Sequence, residues 1–284
     1  PLTAKTSQSG YQKKKQAVFG TAQLGYKSLL YLDLTAREDW VSTIYNKPFF
    51  YPTIGLSGII TDIFNCSTDI MPYMKVRVSY SEVGNEPDLF LMNPTYKMVN
   101  GFPYLITRAQ NTNLYPERTK SWEAGLNFVL FQNKLKLNAT AYTSSTYNQF
   151  FEVNFSGTKG YTSMIVNGGR VDNKGIEVSA TYSQGFGKLN WNSTLTYSLN
   201  RNKIKTLLRN WHNPITGEIE SYSELPLGGT SCMMMKLKEG GTMGDIYVNK
   251  LRTDEHGAIY VHPSDHEVVA ETNNWVYAGS SSPK

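Results

Sequence analysis

Long stretches of this chain alternate apolar and polar residues with a period of two, a pattern that permits little besides extended strands with two unlike faces. In 119–131, Trp122, Ala124, Leu126, Phe128 and Leu130 share one face; Thr119, Ser121, Glu123, Gly125 and Asn127 share the other. Segment 134–143 sets Leu135, Leu137, Ala139 and Ala141 against Lys134, Lys136, Asn138 and Thr140. In 175–183, Ile176, Val178, Ala180 and Tyr182 oppose Gly175, Glu177, Ser179 and Thr181, and 189–200 sets Leu189, Trp191, Leu195, Tyr197 and Leu199 against Asn190, Asn192, Thr194, Thr196 and Ser198. Segments near 75–81 and 28–40 repeat the pattern, and 15–25 and 49–60 carry weaker versions, which makes about eight strands between 15 and 203.

Strand length separates two architectures. Segment 28–40 spans roughly 40 Å at about 3.3 Å per residue, whereas strands of soluble domains run about 5–6 residues and a tilted membrane strand needs about 9–11. No stretch approaches the roughly 18 consecutive apolar residues of a membrane helix. A hydrophobic fraction of 40% and a mean hydropathy of -0.39 still suit a barrel, whose strands are apolar on one face only.

The connections are uneven. Tight turns fit at Gly25-Tyr26-Lys27, Gln132-Asn133 and Gly185-Phe186-Gly187, and a medium connection covers 61–72. Long irregular stretches lie at 85–118, 156–169 and from about 204 onward, with a short connection at 41–48 as the exception. Short turns at one end and long loops at the other are the habit of an antiparallel outer-membrane barrel, periplasmic and extracellular respectively. Strand 119–131 then runs down and 134–155 back up, which places Phe128, Phe131, Phe186 and Trp191 near the periplasmic rim and Trp122, Phe150 and Phe151 nearer the outer one. The polar face (Glu123, Asn127, Lys136, Asn138, Glu177, Asn192, Thr194) lines an aqueous lumen in this architecture. A soluble sandwich would turn the same face to bulk water.

Local signals are structural. Gly84-Asn85 and Gly168-Gly169 supply positive-φ positions where strands leave for loops, Pro52 forces a bulge or an unpaired position, and Pro116-Glu117 presets entry to a strand. Asn138 and Asn192 match the glycosylation pattern but fall inside expected strands. Cys66 and Cys232 are far apart in sequence and are expected as free thiols.

Chemistry is not indicated. Asp254-Glu255-His256, His262 and Asp265-His266-Glu267 could gather three imidazoles, but the stretch lacks a fixed element and is expected as a solvated extracellular loop. There is no Gly-x-Ser-x-Gly elbow, phosphate loop, His-Glu-x-x-His or dinucleotide fingerprint, so no catalytic, cofactor-binding or metal-ligating residue and no cofactor is expected. The 28 Lys and Arg are scattered, which argues against a nucleic-acid partner. Phe102, Tyr104, Tyr115, Trp211 and Trp275 are candidates for stacking on a ligand or for packing the loops.

Several motifs, in order, resemble the barrel of SusC/RagA-type TonB-linked outer-membrane proteins. They are Arg37-Glu38-Asp39-Trp40-Val41-Ser42, Tyr51-Pro52-Thr53-Ile54-Gly55-Leu56-Ser57 and Lys75-Val76-Arg77-Val78-Ser79-Tyr80-Ser81-Glu82-Val83-Gly84-Asn85. Leu114-Tyr115-Pro116-Glu117-Arg118-Thr119, Trp122-Glu123-Ala124-Gly125-Leu126, Val166-Asn167-Gly168-Gly169, Asn173-Lys174-Gly175-Ile176-Glu177 and Asn200-Arg201-Asn202-Lys203-Ile204 follow. Beyond 204 the likeness is looser and rests on Glu239-Gly240-Gly241-Thr242-Met243-Gly244. The resemblance implies residues 1–284 as part of a roughly 22-stranded barrel, with 204–284 as extracellular loops. The family's plug and the segment gripped by the TonB complex are not recognisable in 1–284, nor is an export signal before Pro1, so the sequence reads as part of a longer protein. It further implies active uptake of a large nutrient, an oligosaccharide or other glycan or a peptide, with a SusD-like surface lipoprotein, in contact with outer-membrane lipid and without enzymatic activity. A structural or adhesive barrel that binds ligands through its loops is the other expectation.

Overall fold

The computed structural model describes residues 10–44, 47–95, 97–99, 102–104, 107–155 and 160–282. Its main sheet is a meander of eight long strands: β1 (Lys15–Tyr26), β2 (Leu30–Val41), β3 (Phe49–Ile59), β4 (Tyr73–Asn85), β5 (Glu117–Leu130), β6 (Leu135–Asn154), β7 (Ser163–Phe186) and β8 (Leu189–Thr206). Each pairs antiparallel with the next in sequence, and the short strand Arg108–Ala109 adds to β7 in parallel. The expected all-β antiparallel wall is therefore present, and β7 and β8 run longer than the alternation alone marks out.

Register carries the alternation across the whole sheet. One row of partners reads Leu24, Leu32, Leu56, Val78, Ala124, Ala141, Ile176, Leu199, and all eight are apolar. The adjacent row on the other face reads Gln23, Asp33, Gly55, Ser79, Glu123, Tyr142, Gly175, Asn200. Because side chains two residues apart share a face, these rows settle which residues face together. Glu123, Asn127, Lys136, Asn138, Glu177, Asn192 and Thr194 all fall on the polar face.

The same register yields a tilt. Starting from Tyr26 at the first tight turn, the row passes through Leu30, Gly58, Val76, Leu126, Ala139 and Val178 to Tyr197. β8 then continues eight residues further, to Leu189, before its own turn. If both turns sit at one membrane level, an axial stagger of about 26 Å develops over about 34 Å of sheet, a tilt of roughly 38°. Strands of closed outer-membrane barrels tilt by about 35–45°.

The three tight turns lie at one end, as expected. The first centres on Lys27 and Ser28 (φ 50° and 58°), two residues past Gly25, which stays paired with Tyr31. The second uses Phe131, Gln132 and Asn133, all left-handed, and the third uses Gly187. The connection after β3 begins with one helical turn, Ile60–Ile63.

Two local expectations are corrected. Neither Gly84 nor Asn85 has positive φ; Gly84 is required by packing, since a Cβ there would lie 2.8 Å from the Phe49 ring and 2.9 Å from that of Tyr51. Gly168-Gly169 does not end a strand. Gly169 (φ 74°) and Asn148 (φ 58°) form a paired irregularity inside β6–β7, beyond which both strands continue to Asn154 and Ser163. Pro52 sits opposite Ala36 without a register shift, one residue outside the β3–β4 ladder, where its missing N–H costs nothing.

Past the irregularity, β6 and β7 form an arm whose β7 side (Ser163, Met164, Ile165 and Val166) is buried on both faces, while β6 buries Phe151 and Val153 and exposes Glu152 and Asn154. Phe151, Val153, Met164 and Val166 join a cluster with Val171, Ile204, Leu207, Leu225 and Leu237. Ile165 joins the second cluster with Val41, Ile44, Phe49, Met92 and Leu114, and Phe150 packs against it. Phe151, expected in an outer aromatic rim, is instead 6% exposed. The residues after 206, read from sequence as irregular, contain further strands: β9 (Leu208–His212), β10 (Ile219–Tyr222), β11 (Glu224–Gly229), β12 (Met233–Lys238), β13 (Asp245–Leu251) and β14 (Ala270–Ser280). β9 pairs β10, and β11–β14 form a separate four-stranded sheet. β9 to β13 are each seven residues or shorter, too short for alternation to stand out in the sequence.

Glu239 links this region to the wall. It accepts from the Leu207 backbone N–H at 3.0 Å and pairs with Arg209 at 2.6 Å. The hydrogen bond from Arg209, aided by the Leu207 N–H, holds its carboxyl below the usual glutamate range against the cost of burial. A lowered folded value means that the contact stabilises at neutral pH and is lost as pH falls below the ordinary glutamate value of 4.5 and through the folded one. Amide exchange at Leu207 in the full-length protein is expected to accelerate over that acid window in wild type but not in Glu239→Gln; equal pH profiles would contradict the assignment.

Candidate functional site

The two faces of the sheet supply two different environments. On the apolar face, the rows through Val78 and Leu126 are flanked by Met74, Phe128, Leu137, Ala180 and Leu195 on the turn side. Leu195 is 74% exposed, and Leu56, Val78 and Ile176 are also open. A continuous apolar surface crossing eight strands is far larger than the few hundred Å² a soluble monomer tolerates. Its upper edge carries Tyr80 and Trp122, ring centroids 4.9 Å apart, and its lower edge Tyr182, Phe186 and Trp191, all exposed. Two aromatic borders around an apolar belt mark a surface that fits lipid. Among the described residues no helix is long and apolar enough to cross a membrane.

The polar face is knit by side chains that reach across strands. The Arg77 guanidinium donates to Asn127 at 2.8 Å, to Asn138 at 3.3 Å and to Thr140, tying three strands together. Thr119 and Thr146 are hydrogen-bonded at 2.9 Å, and Gln23 donates to Asp33 at 2.6 Å. Tyr142 leans over Gly175, filling the space of the missing side chain. Asn138 is thus engaged inside a strand, as its sequence context implied.

At the upper end the arm and its neighbours close over the polar face. A cleft of about 680 Å³ opens there between the ends of β4, β5 and β6 and residues 225–228 of β11. Glu86, Glu117, Glu152 and Phe150 are among its walls. Each of these carboxylates has a structural partner. Glu86 accepts from Lys13 at 2.6 Å and Lys15 at 2.8 Å, Glu117 from the Asn85 amide and the Phe150 N–H, and Glu152 from Ser163. Burial of Glu86 opposes its charge, but the two lysines outweigh it and hold its carboxyl below the usual range. Lys15 also reaches the fully buried Asp39, which Arg37 binds at 2.7 Å.

The other candidate residues are dispersed. Among the described residues no three or more His, Cys, Asp or Glu are grouped to hold a metal; His262 faces Asp265 at 3.2 Å, on an exposed loop. Cys66 and Cys232 are exposed and free. Of the aromatics, Trp211 packs against the arm's cluster, Trp275 lies on β14, and Phe102 and Tyr115 are exposed. The side chain of Tyr104 lies outside the described residues. Nothing in the sequence pointed to the arm as the structure that covers the polar face, because its β7 residues Ser163, Met164, Ile165 and Val166 are buried on both sides.

A tilted antiparallel wall with a lipid-fitting belt outside and a polar, cross-linked surface inside defines an outer-membrane β-barrel. Residues 1–228 match the family model described as "TonB dependent receptor-like, beta-barrel", and the chain belongs to that family, whose members reside in the outer membrane of Gram-negative bacteria. It is 29% identical over 211 residues to TonB-dependent receptor P26 of Formosa agariphila, covering 70% of this chain and 21% of that protein. It is also 29% identical to receptor P3 of the same organism, over 67% of this chain and 20% of the relative. The chain thus spans about a fifth of the length of these relatives. Its fold matches the RagAB peptide importer in the open-open state at a TM-score of 0.73 and 18% identity, over 94% of this chain and 29% of that one. The closed-closed state matches at 0.70 and 17%, over 93% and 30%. The TonB-linked, SusC/RagA-like resemblance drawn from the ordered motifs is borne out.

Proposed function

We propose that this chain is a section of wall in a TonB-dependent importer that takes up a large nutrient, a peptide or an oligosaccharide, together with a SusD-like surface lipoprotein. The observation that carries the proposal is the arm of β6 and β7, which folds over the polar face at the end opposite the tight turns. A porin-like wall has no need of such a cover, whereas a ligand handed in from a surface partner needs a shaped entrance. The RagAB neighbours are described as a peptide importer, which favours a peptide. In this account residues 204–284 form the extracellular crown, and the edges β1 and β8 pair with further strands of the same barrel, since bare edges are unstable in lipid. Plug and TonB-contacting segment belong to the rest of the protein. The wall binds and guides; it breaks no bonds.

The test is uptake by cells carrying the full-length protein. Labelled oligopeptide and oligosaccharide pools are offered with TonB present or deleted, and with the neighbouring lipoprotein gene present or deleted. Loss of internalisation of one pool in both deletions is the expected result. Surface binding that persists, with no internalisation in any strain, would replace import by adhesion.

A further inference from the structure

Charge on the apolar face is uneven just above the belt. On β4 and β5 it is balanced locally: Glu82 pairs with Arg118 and with Lys120, both at 3.4 Å. On β7, Asp172 is taken by Arg170 at 2.7 Å and by Ser145 at 2.8 Å. Further along, Lys174, Arg201, Lys203 and Lys205 are all exposed, and among the described residues none of them forms an ion pair. Register places Lys174 directly beside Arg201, and Lys203 beside Asp172, one step higher. Neighbouring strands are about 4.8 Å apart and alternate residues about 7 Å, so the four cations share a patch roughly 15 Å long.

Directly below them lie Ile176 and Leu199, the last two members of the apolar row that crosses the sheet. A cleft of about 570 Å³ runs along β7 and β8 and is lined by these two residues, by all four cations and by Asp172, whose carboxylate is already held by Arg170 and Ser145. The patch points away from the polar face, so a nutrient in the lumen cannot reach it. It is continuous with the lipid-fitting belt and lies on the side opposite the short turns, the extracellular leaflet. A charged head over an apolar tail is the shape of a lipid, and a guanidinium with three ammonium groups matches phosphate.

We propose that Lys174, Arg201, Lys203 and Lys205 bind the phosphate groups of a phosphorylated glycolipid in the outer leaflet, whose acyl chains lie over Ile176, Leu199 and Leu195. The site depends on the outward orientation of this face and not on what the barrel imports. The lipid fixes the level of the wall in the bilayer and shields four like charges from one another.

The full-length protein, extracted in mild detergent, is mixed with lipid A bearing both phosphates or with the same lipid dephosphorylated, and bound lipid is read by native mass spectrometry. Wild type is expected to retain the phosphorylated form and to lose the dephosphorylated one, by at least about tenfold. The variant Lys174→Gln/Arg201→Gln/Lys203→Gln/Lys205→Gln is expected to lose retention by a similar factor, while Lys134→Gln/Lys188→Gln at the turn end keeps it. Equal retention of both lipids by wild type would overturn the proposal, and this arm does not depend on any variant folding. Undiminished retention by the quadruple variant, or cross-links from Lys203 to a partner protein in place of lipid, would overturn it as well.

Discussion

Gly175→Val is expected to break the wall between β6 and β8, although valine is the better strand former by propensity. A Cβ at this position would collide with the Tyr142 ring and lie 2.6 Å from the Leu199 carbonyl oxygen. The ring can swing aside into the lumen. The carbonyl cannot move without pulling on the β7–β8 ladder, which runs from Arg170 to Phe186. The penalty should therefore sit at or above the upper end of the about 1–3 kcal/mol typical of overpacking. Urea unfolding of the full-length protein refolded into vesicles measures it. In a Tyr142→Ala background the loss should shrink but persist, because the carbonyl clash remains. An unchanged midpoint in the single variant would mean that Gly175 is not confined as described.

Leu195→Arg should cost about 2–4 kcal/mol, the range for a cation at the bilayer midplane on the lipid face of a barrel. The adjacent Thr196→Arg should cost well under 1 kcal/mol, since lumen positions stay wet. Both sites are adjacent on β8 and lie on opposite faces, so strand position cancels in the comparison. The same urea assay reads both. Similar costs for the pair would mean that the two faces see the same solvent, as in a soluble sandwich, and the membrane assignment would fail.

The wall was legible because its two environments are continuous over many residues. Wherever Trp122, Leu126, Ile176 or Leu195 alternates with Glu123, Asn127, Glu177 or Thr196, one face meets lipid and the other water, and the period of two survives. The arm was not legible for the same reason. Ser163, Met164, Ile165 and Val166 are all buried, so alternation there carries no information about exposure. Its origin, paired left-handed residues Asn148 and Gly169, is half visible: Gly169 advertises itself and Asn148 does not. Gly84 was marked as special but for the wrong cause, because the rings of Phe49 and Tyr51 that exclude a side chain come from a strand thirty-odd residues earlier. The strands from Leu208 to Leu251 are too short to build a periodic signal, and Pro226 and Gly228 break β11. Of the site, the polar lining was visible and its cover was not.

The Leu–Leu–Leu–Val row faces lipid and the Gln–Asp–Gly–Ser row faces an aqueous lumen. Spin labels placed singly at Val78, Ser79, Leu126, Asn127, Leu195 and Thr196 of the full-length protein, with Cys66 and Cys232 changed to serine, test it in native outer membranes. Oxygen, which concentrates in lipid, should broaden the labels at 78, 126 and 195, and a water-soluble nickel chelate those at 79, 127 and 196. The two accessibilities should alternate out of phase along all three strands. Aqueous accessibility at both members of each pair, or alternation with the phases exchanged, would contradict it.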